Sequence, residues 1–101
     1  MIYITRRLEF CAGHRLFNPA FSDEKNADTF GLCNNLNGHG HNYVLEVTIK
    51  GEVDPETGMV LDLKSLKKLI NEEIVDKVDH KNLNVDVEFL KNVIPTAENL
   101  A

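Results

Sequence analysis

Four histidines, at positions 14, 39, 41 and 80, carry most of the chemistry open to this protein. His39-Gly40-His41 places two imidazoles at i and i+2, on one face if the segment is extended and about 7 Å apart along it. That spacing suits two ligands of one tetrahedral ion, and Gly40 would let another group approach the backbone closely. His14 is a candidate third ligand. Three neutral imidazoles leave Zn2+ a fourth position for water or substrate, the catalytic rather than the structural arrangement. The competing reading is that all three are hydrogen-bonded, half-buried side groups without a metal. Cys33 precedes His39 by six residues. It is either a fourth ligand that closes the site or a thiolate beside the metal, where positive charge makes it a usable base. Cys11 sits on the opposite parity from its neighbours' apolar side chains and reads as a small filler. In Asp79-His80 a carboxylate can orient an imidazole and stabilise its charged form, although such a dipeptide is also ordinary turn material.

The elements that must position these groups follow from periodicity. Ile2, Ile4, Leu8, Phe10 and Ala12 share one parity, which predicts a strand over 2–14 with His14 facing inward. Arg6 breaks that parity, so the first half is expected to be exposed or bulged. Residues 17–38 are dense in Asn, Asp, Gly, Pro and Ser and read as a long irregular connection holding Cys33, with a turn of helix over 23–28. A second strand is predicted over 39–52, where Tyr43, Leu45, Val47 and Ile49 continue the parity of His39 and His41. A turn over 54–58 and a returning strand, Met59-Val60-Leu61, would make a hairpin. A helix then starts at Asp62 as N-cap, with Leu63, Leu66, Leu69, Ile70 and Ile74 as its buried stripe. Thr96 reads as the cap of a further helix that has only about five residues. So short a helix needs tertiary packing, and 1–101 is therefore expected to be one domain continued by at least that helix.

Composition narrows the function. The 101 residues are 43% apolar and 27% charged, the balance of one globular domain rather than a disordered polypeptide. A net charge of −5, with no basic run longer than two residues, argues against nucleic acid as a partner. No apolar run approaches the roughly 20 residues of a membrane span, and no signal peptide is visible. Two cysteines are too few for a disulfide framework, which fits a reducing, cytoplasmic location.

Five segments then occur in order: Phe10-Cys11-Ala12-Gly13-His14-Arg15, Cys33-Asn34-Asn35-Leu36-Asn37-Gly38-His39-Gly40-His41-Asn42-Tyr43, Gly51-Glu52-Val53-Asp54-Pro55 with Gly58-Met59-Val60, Asp79-His80-Lys81-Asn82-Leu83-Asn84, and Pro95-Thr96-Ala97-Glu98-Asn99. Together they closely resemble the 6-pyruvoyltetrahydropterin synthase family, which includes the bacterial 6-carboxytetrahydropterin synthases of queuosine biosynthesis. The resemblance implies an α+β T-fold subunit, a four-stranded antiparallel sheet with two helices on one face, of which a helix and two strands would lie beyond residue 101. Without them the protein is expected not to close a normal barrel. In the family, subunits form homo-oligomers, commonly a hexamer of two trimers, with active sites at subunit boundaries.

By matching motif, the resemblance implies His14, His39 and His41 as ligands of Zn2+ and Cys33 as the proton-abstracting base. Asp79 and His80 would be the relay, reaching the site from a neighbouring subunit, and Thr96 and Glu98 would lie near the pterin. The implied substrate is the small molecule 7,8-dihydroneopterin triphosphate, with loss of triphosphate and no organic cofactor. Arg15, permanently charged and beside a ligand, is the first candidate for gripping the triphosphate. The interval between Cys33 and His39 and the wording of that segment resemble the pyruvoyl-forming branch. The alternatives are the 6-carboxy product and a non-catalytic zinc module closed by Cys33.

Overall fold

The computed structural model describes residues 1–101. Strand β1 (Ile2–His14) and strand β2 (His39–Gly51) pair antiparallel in unbroken register, from Ile2 opposite Gly51 to His14 opposite His39. Side chains on a strand alternate between its faces, so one face carries Ile4, Leu8, Phe10, Leu45, Val47 and Ile49, which pack on the helix. Arg6 lies in this row opposite Val47 without any bulge, half-buried, its Nε without a hydrogen-bond partner. Of the two expected outcomes at Arg6, the bulge is absent and the exposure is present, with Ile2 43% and Tyr3 65% exposed at the outer end of the strand.

The connection between the strands is more ordered than its composition suggests. Helix α1 (Asp23–Phe30) is capped by Ser22, whose Oγ accepts from Lys25 N, and it continues as a 3-10 turn, Gly31–Asn34. Buried Asn26 ties the helix down: its Oδ1 accepts from Asn18 N at 2.8 Å and its Nδ2 donates to Asn18 O at 3.1 Å. After β2, the expected strand Met59-Val60-Leu61 does not form. Asp54 N donates to Met59 O, but Met59 and Leu61 stay exposed and the backbone bends away. Val60 instead sits over Gly51, where a Cβ would come within 2.7 Å of its Cγ1. The pairing ends at a glycine that serves as a seat.

Helix α2 (Leu63–Ile70) begins at the predicted cap Asp62 and runs through a π-helical turn, Asn71–Val75, into α3 (Asp76–Val78). The wider turn moves the buried position from the expected Ile74, which is half-buried, to Val75. Leu66, Ile70, Val75 and Val78 are buried, whereas Leu63 and Leu69 are about half exposed at 49% and 51%. Strand β3 (Lys81–Asn82) then joins the far edge of β1 in parallel, giving the order β2-β1-β3. The sheet thus has two long antiparallel strands, the number that the family resemblance leaves within residues 1–101, and one short parallel strand besides. The backbone reaches β3 by a helical crossover, the connection that parallel pairing requires. A 3-10 turn (Glu88–Leu90) and helix α4 (Ala97–Leu100) follow, with Thr96 capping α4 as its sequence predicts. Around β3, Ala12, Val78, Leu83, Val87 and Leu90 form a second core.

Candidate active site

Opposed pairing brings the histidines together. His14 lies directly across from His39, and Ala12 from His41, so all three imidazoles project from the helix-bearing face at one end of the ribbon. Their ring centroids form a nearly equilateral triangle: 4.7 Å for His14–His39, 5.0 Å for His14–His41 and 4.6 Å for His39–His41. One ligand nitrogen from each can be chosen so that all lie within 4.8 Å of one another. His14 is buried, His39 half-buried and His41 exposed, so the cluster opens outward along β2.

Gly38 makes the approach possible. Its φ of +74° is left-handed, and a Cβ there would stand 3.0 Å from the His14 carbonyl oxygen.

The buried ring of the cluster, His14, is held in a form that can ligate. His14 Nδ1 lies 2.8 Å from Pro95 O. A carbonyl only accepts, so Nδ1 carries the proton and Nε2 keeps its lone pair for a metal. Burial holds the His14 pKa below the ordinary 6.5, outweighing the Pro95 bond, with His39 and His41 adding to the depression. His39 supplies the test of fit. Both of its ring nitrogens are buried and neither has a hydrogen-bond partner, a costly state for a polar group that a metal bond would relieve. An N3 set with an outward opening suits a Zn2+ ion with one exchangeable position.

The other expected site residues lie around this cluster. Cys33 sits half-buried in the 3-10 turn, tied to the end of β1 by Leu16 N donating to its carbonyl at 2.8 Å. Its sulfur is not among the ligand atoms that lie within 4.8 Å of one another in the imidazole cluster. Arg15 donates from Nε to Asn34 O at 2.9 Å and from Nη2 to Asn34 Oδ1 at 3.0 Å, and lies 4.2 Å over the Phe17 ring. It braces the loop next to Cys33. Thr96 Oγ1 accepts from Asn99 N in the segment that presents Pro95 to His14, and Glu98 is exposed.

Asp79 and His80 fall elsewhere. Asp79 Oδ1 accepts from Cys11 N at 3.0 Å, and Cys11 shares the outward parity with Gly13, Asn42 and Gly40, opposite to that of the imidazoles. His80 Nδ1 lies 3.0 Å from Asp79 Oδ2, and its φ of 60° is rare for a residue with a Cβ. The Asp79 pKa is lowered by the Cys11 N–H first, with His80 acting in the same direction. His80 borders an open cleft of about 550 Å3 that is also lined by Cys11, Gly40, His41, Asn42 and Lys81, among others. Sequence reasoning missed Tyr43, whose hydroxyl is 3.4 Å from His14 Nδ1 and whose ring stacks on Phe10 at 5.0 Å. Its position two residues after His41 was the available signal. It also missed the Pro95 carbonyl and the contact of Cys11 with Asp79, for which no local pattern exists.

Residues 3–101 match the family model for 6-pyruvoyl tetrahydropterin synthase. The chain belongs to that family. A 6-pyruvoyl tetrahydrobiopterin synthase from Homo sapiens is 52% identical over 98 residues, covering 97% of this chain and 68% of the human protein. More distant relatives include a 6-carboxy-5,6,7,8-tetrahydropterin synthase from Rickettsia bellii, 37% identical over 117 residues. The solved structure of Caenorhabditis elegans 6-pyruvoyl tetrahydropterin synthase superposes with a TM-score of 0.93 at 52% identity, covering 99% of this chain and 71% of that one. The fold is therefore the α+β T-fold of the family. No helix is long and apolar enough to cross a membrane.

Proposed function

We propose that this protein is a zinc-dependent 6-pyruvoyltetrahydropterin synthase, a lyase that converts 7,8-dihydroneopterin triphosphate to 6-pyruvoyltetrahydropterin with loss of triphosphate. The observation that carries the reading is the convergence of three imidazoles, one with both nitrogens orphaned, in a family member about half identical to synthases of that name. His14, His39 and His41 hold Zn2+. Bound there, Zn2+ supplies Lewis acidity that eases removal of protons from the carbon and hydroxyl groups of the substrate's three-carbon tail.

The protein's own groups do the rest. Cys33, as thiolate, removes a proton from a carbon of that tail, and the brace from Arg15 to Asn34 fixes the turn that presents it. The free Nη donors of Arg15 grip the triphosphate, while Thr96 and Glu98 border the pterin. His80 moves the hydroxyl proton, and Asp79 holds its imidazole in place from 3.0 Å.

Asp79 and His80 sit beside Cys11, on the face of β1 opposite to that of the three imidazoles, which supports their acting on a substrate held by another copy. A second copy supplies Asp79 and His80, in a homo-oligomer of hexamer type. Exposed surface supports association. Only 11 of 101 residues are buried, and the radius of gyration is 17.5 Å, against about 13 Å for a compact domain of this size. The free cysteines support a cytoplasmic location.

The test is a product assay with zinc-loaded protein and 7,8-dihydroneopterin triphosphate, the pterin identified by mass. The 6-pyruvoyl mass is expected. The 6-carboxy mass would transfer the protein to the reaction named for its more distant relatives, and zinc binding without turnover would refute catalysis.

A further inference from the structure

Outside the imidazole cluster, one other set of residues has the composition of a metal site. Cys11, Asp79 and His80 each offer a ligand atom, and these atoms lie within 4.8 Å of one another. A tetrahedral ion with bonds of about 2.0–2.3 Å keeps its ligand atoms about 3.3–3.8 Å apart, so the set needs only a small contraction.

The backbone has already gathered it. Cys11 N donates to Asp79 Oδ1 at 3.0 Å and Cys11 O accepts from His80 N at 2.6 Å, joining residues 68 and 69 positions apart. The left-handed backbone at His80 is maintained by these bonds and turns the imidazole toward its own neighbour's carboxylate. Cys11 is half-buried, Asp79 keeps 35% of its side-chain surface exposed and His80 78%, so an ion has an entry path and room for a water as fourth ligand.

We infer that Cys11, Asp79 and His80 form a second binding site for a thiophilic divalent cation of the Zn2+ or Co2+ class. One thiolate, one imidazole and one carboxylate favour such ions over Mg2+ and Ca2+, which take oxygen ligands. Ligation displaces the Cys11 thiol proton and replaces the 3.0 Å hydrogen bond between His80 Nδ1 and Asp79 Oδ2 with two metal bonds. If Asp79 and His80 are the proton relay, as proposed above, occupation removes that relay. Excess metal would then inhibit an enzyme that needs the same metal at its imidazole cluster.

Titration of the metal-free protein with Co2+ tests the site without reference to turnover. Two equivalents are expected per subunit. The second should bring a thiolate-to-cobalt charge-transfer band, absent in Cys11→Ser, retained in Cys33→Ser and retained in His39→Leu. His80→Gln changes an exposed residue and should weaken the second equivalent more than about 100-fold, the upper end of what loss of a supporting partner costs. Unchanged binding of the first equivalent in Cys11→Ser confirms that the variant folds. The inference is overturned if only one equivalent binds, or if the band follows Cys33 instead of Cys11. With substrate, excess Zn2+ should slow the natural protein and spare Cys11→Ser. Equal inhibition of both would overturn the inhibitory role while leaving the cobalt result to decide the site.

Discussion

His39 is the residue at which metal binding and folding should visibly oppose each other. Its two ring nitrogens are buried and unpartnered without a metal, and an unsatisfied buried polar group costs about 1–3 kcal/mol. His39→Leu removes both nitrogens and leaves an apolar group of similar bulk beside His14 and His41. The metal-free variant should therefore gain about 1 kcal/mol, which raises Tm by about 4–8 °C in a domain of this size. With zinc present at 100 times its dissociation constant, the natural protein should gain about 2.7 kcal/mol. The same conversion gives a rise on the order of 10–20 °C, and the variant, lacking one of three ligands, should lose most of it. Thermal melts followed by circular dichroism, in chelator and in buffered zinc, read both effects. A lower Tm for metal-free His39→Leu would mean that the ring is not an orphan. An undiminished zinc shift in the variant would mean that it is not a ligand.

Cys33→Ala should keep zinc at full stoichiometry and lower kcat by about 10²–10⁴, the usual contribution of a positioned base; loss of zinc in parallel would make Cys33 a ligand. Gly38→Ala forces a Cβ into a left-handed backbone at φ +74°, 3.0 Å from the His14 carbonyl. It should cost at least about 1–2 kcal/mol and weaken zinc binding, both readable from urea melts with and without metal. The pH dependence has a definite sign. Burial depresses the His14 pKa below 6.5, so the folded state binds fewer protons there than the unfolded state. Its contribution to stability is complete above pH 6.5 and declines as pH falls through the lower folded value. Urea unfolding of the metal-free protein from pH 7.5 to 5 should show that decline, and His14→Leu should flatten it. An equal slope in the variant would assign the loss to other groups.

The elements that hold the imidazoles are legible in the sequence because they obey period-2 alternation over their full length. Alternation predicts β1 over 2–14 and the strand is Ile2–His14; it predicts β2 over 39–52 and the strand is His39–Gly51. The cap residues Asp62 and Thr96 are legible for a similar reason, since their side chains act within three residues. Legibility ends where the decisive partner is remote. The stripe of the long helix slips at Asn71–Val75 because a π-helical turn is chosen by packing on β1 and β2. The strand expected at Met59-Val60-Leu61 gives way to the seating of Val60 over Gly51. Cys11 looks inert from its parity alone, and only the return of the backbone at Asp79 gives it chemistry.

That dependence on remote pairing also governs how the site is built. The ligand triangle is a property of strand register, since His14 meets His39 only in the observed pairing. A one-residue slip of β2 would turn His39 and His41 to the other face, where Cys11 and Gly13 lie, and would remove two of the three proposed ligands at once. Because the same slip would also expose Tyr43, Leu45, Val47 and Ile49, the hydrophobic packing on α2 that fixes the fold also fixes the arrangement of the three imidazoles. Metal affinity should therefore respond to substitutions far from the metal whenever they weaken that packing. Leu66, 2% exposed and packed against this apolar row, is the sharpest case. Leu66→Ala should cost about 2–5 kcal/mol and lower zinc affinity although the residue touches no ligand. Measured by competition with a chromophoric chelator under conditions where the variant remains folded, an unchanged affinity would show that the triangle is held locally, by Gly38 and the Pro95 carbonyl, rather than by the register of the sheet.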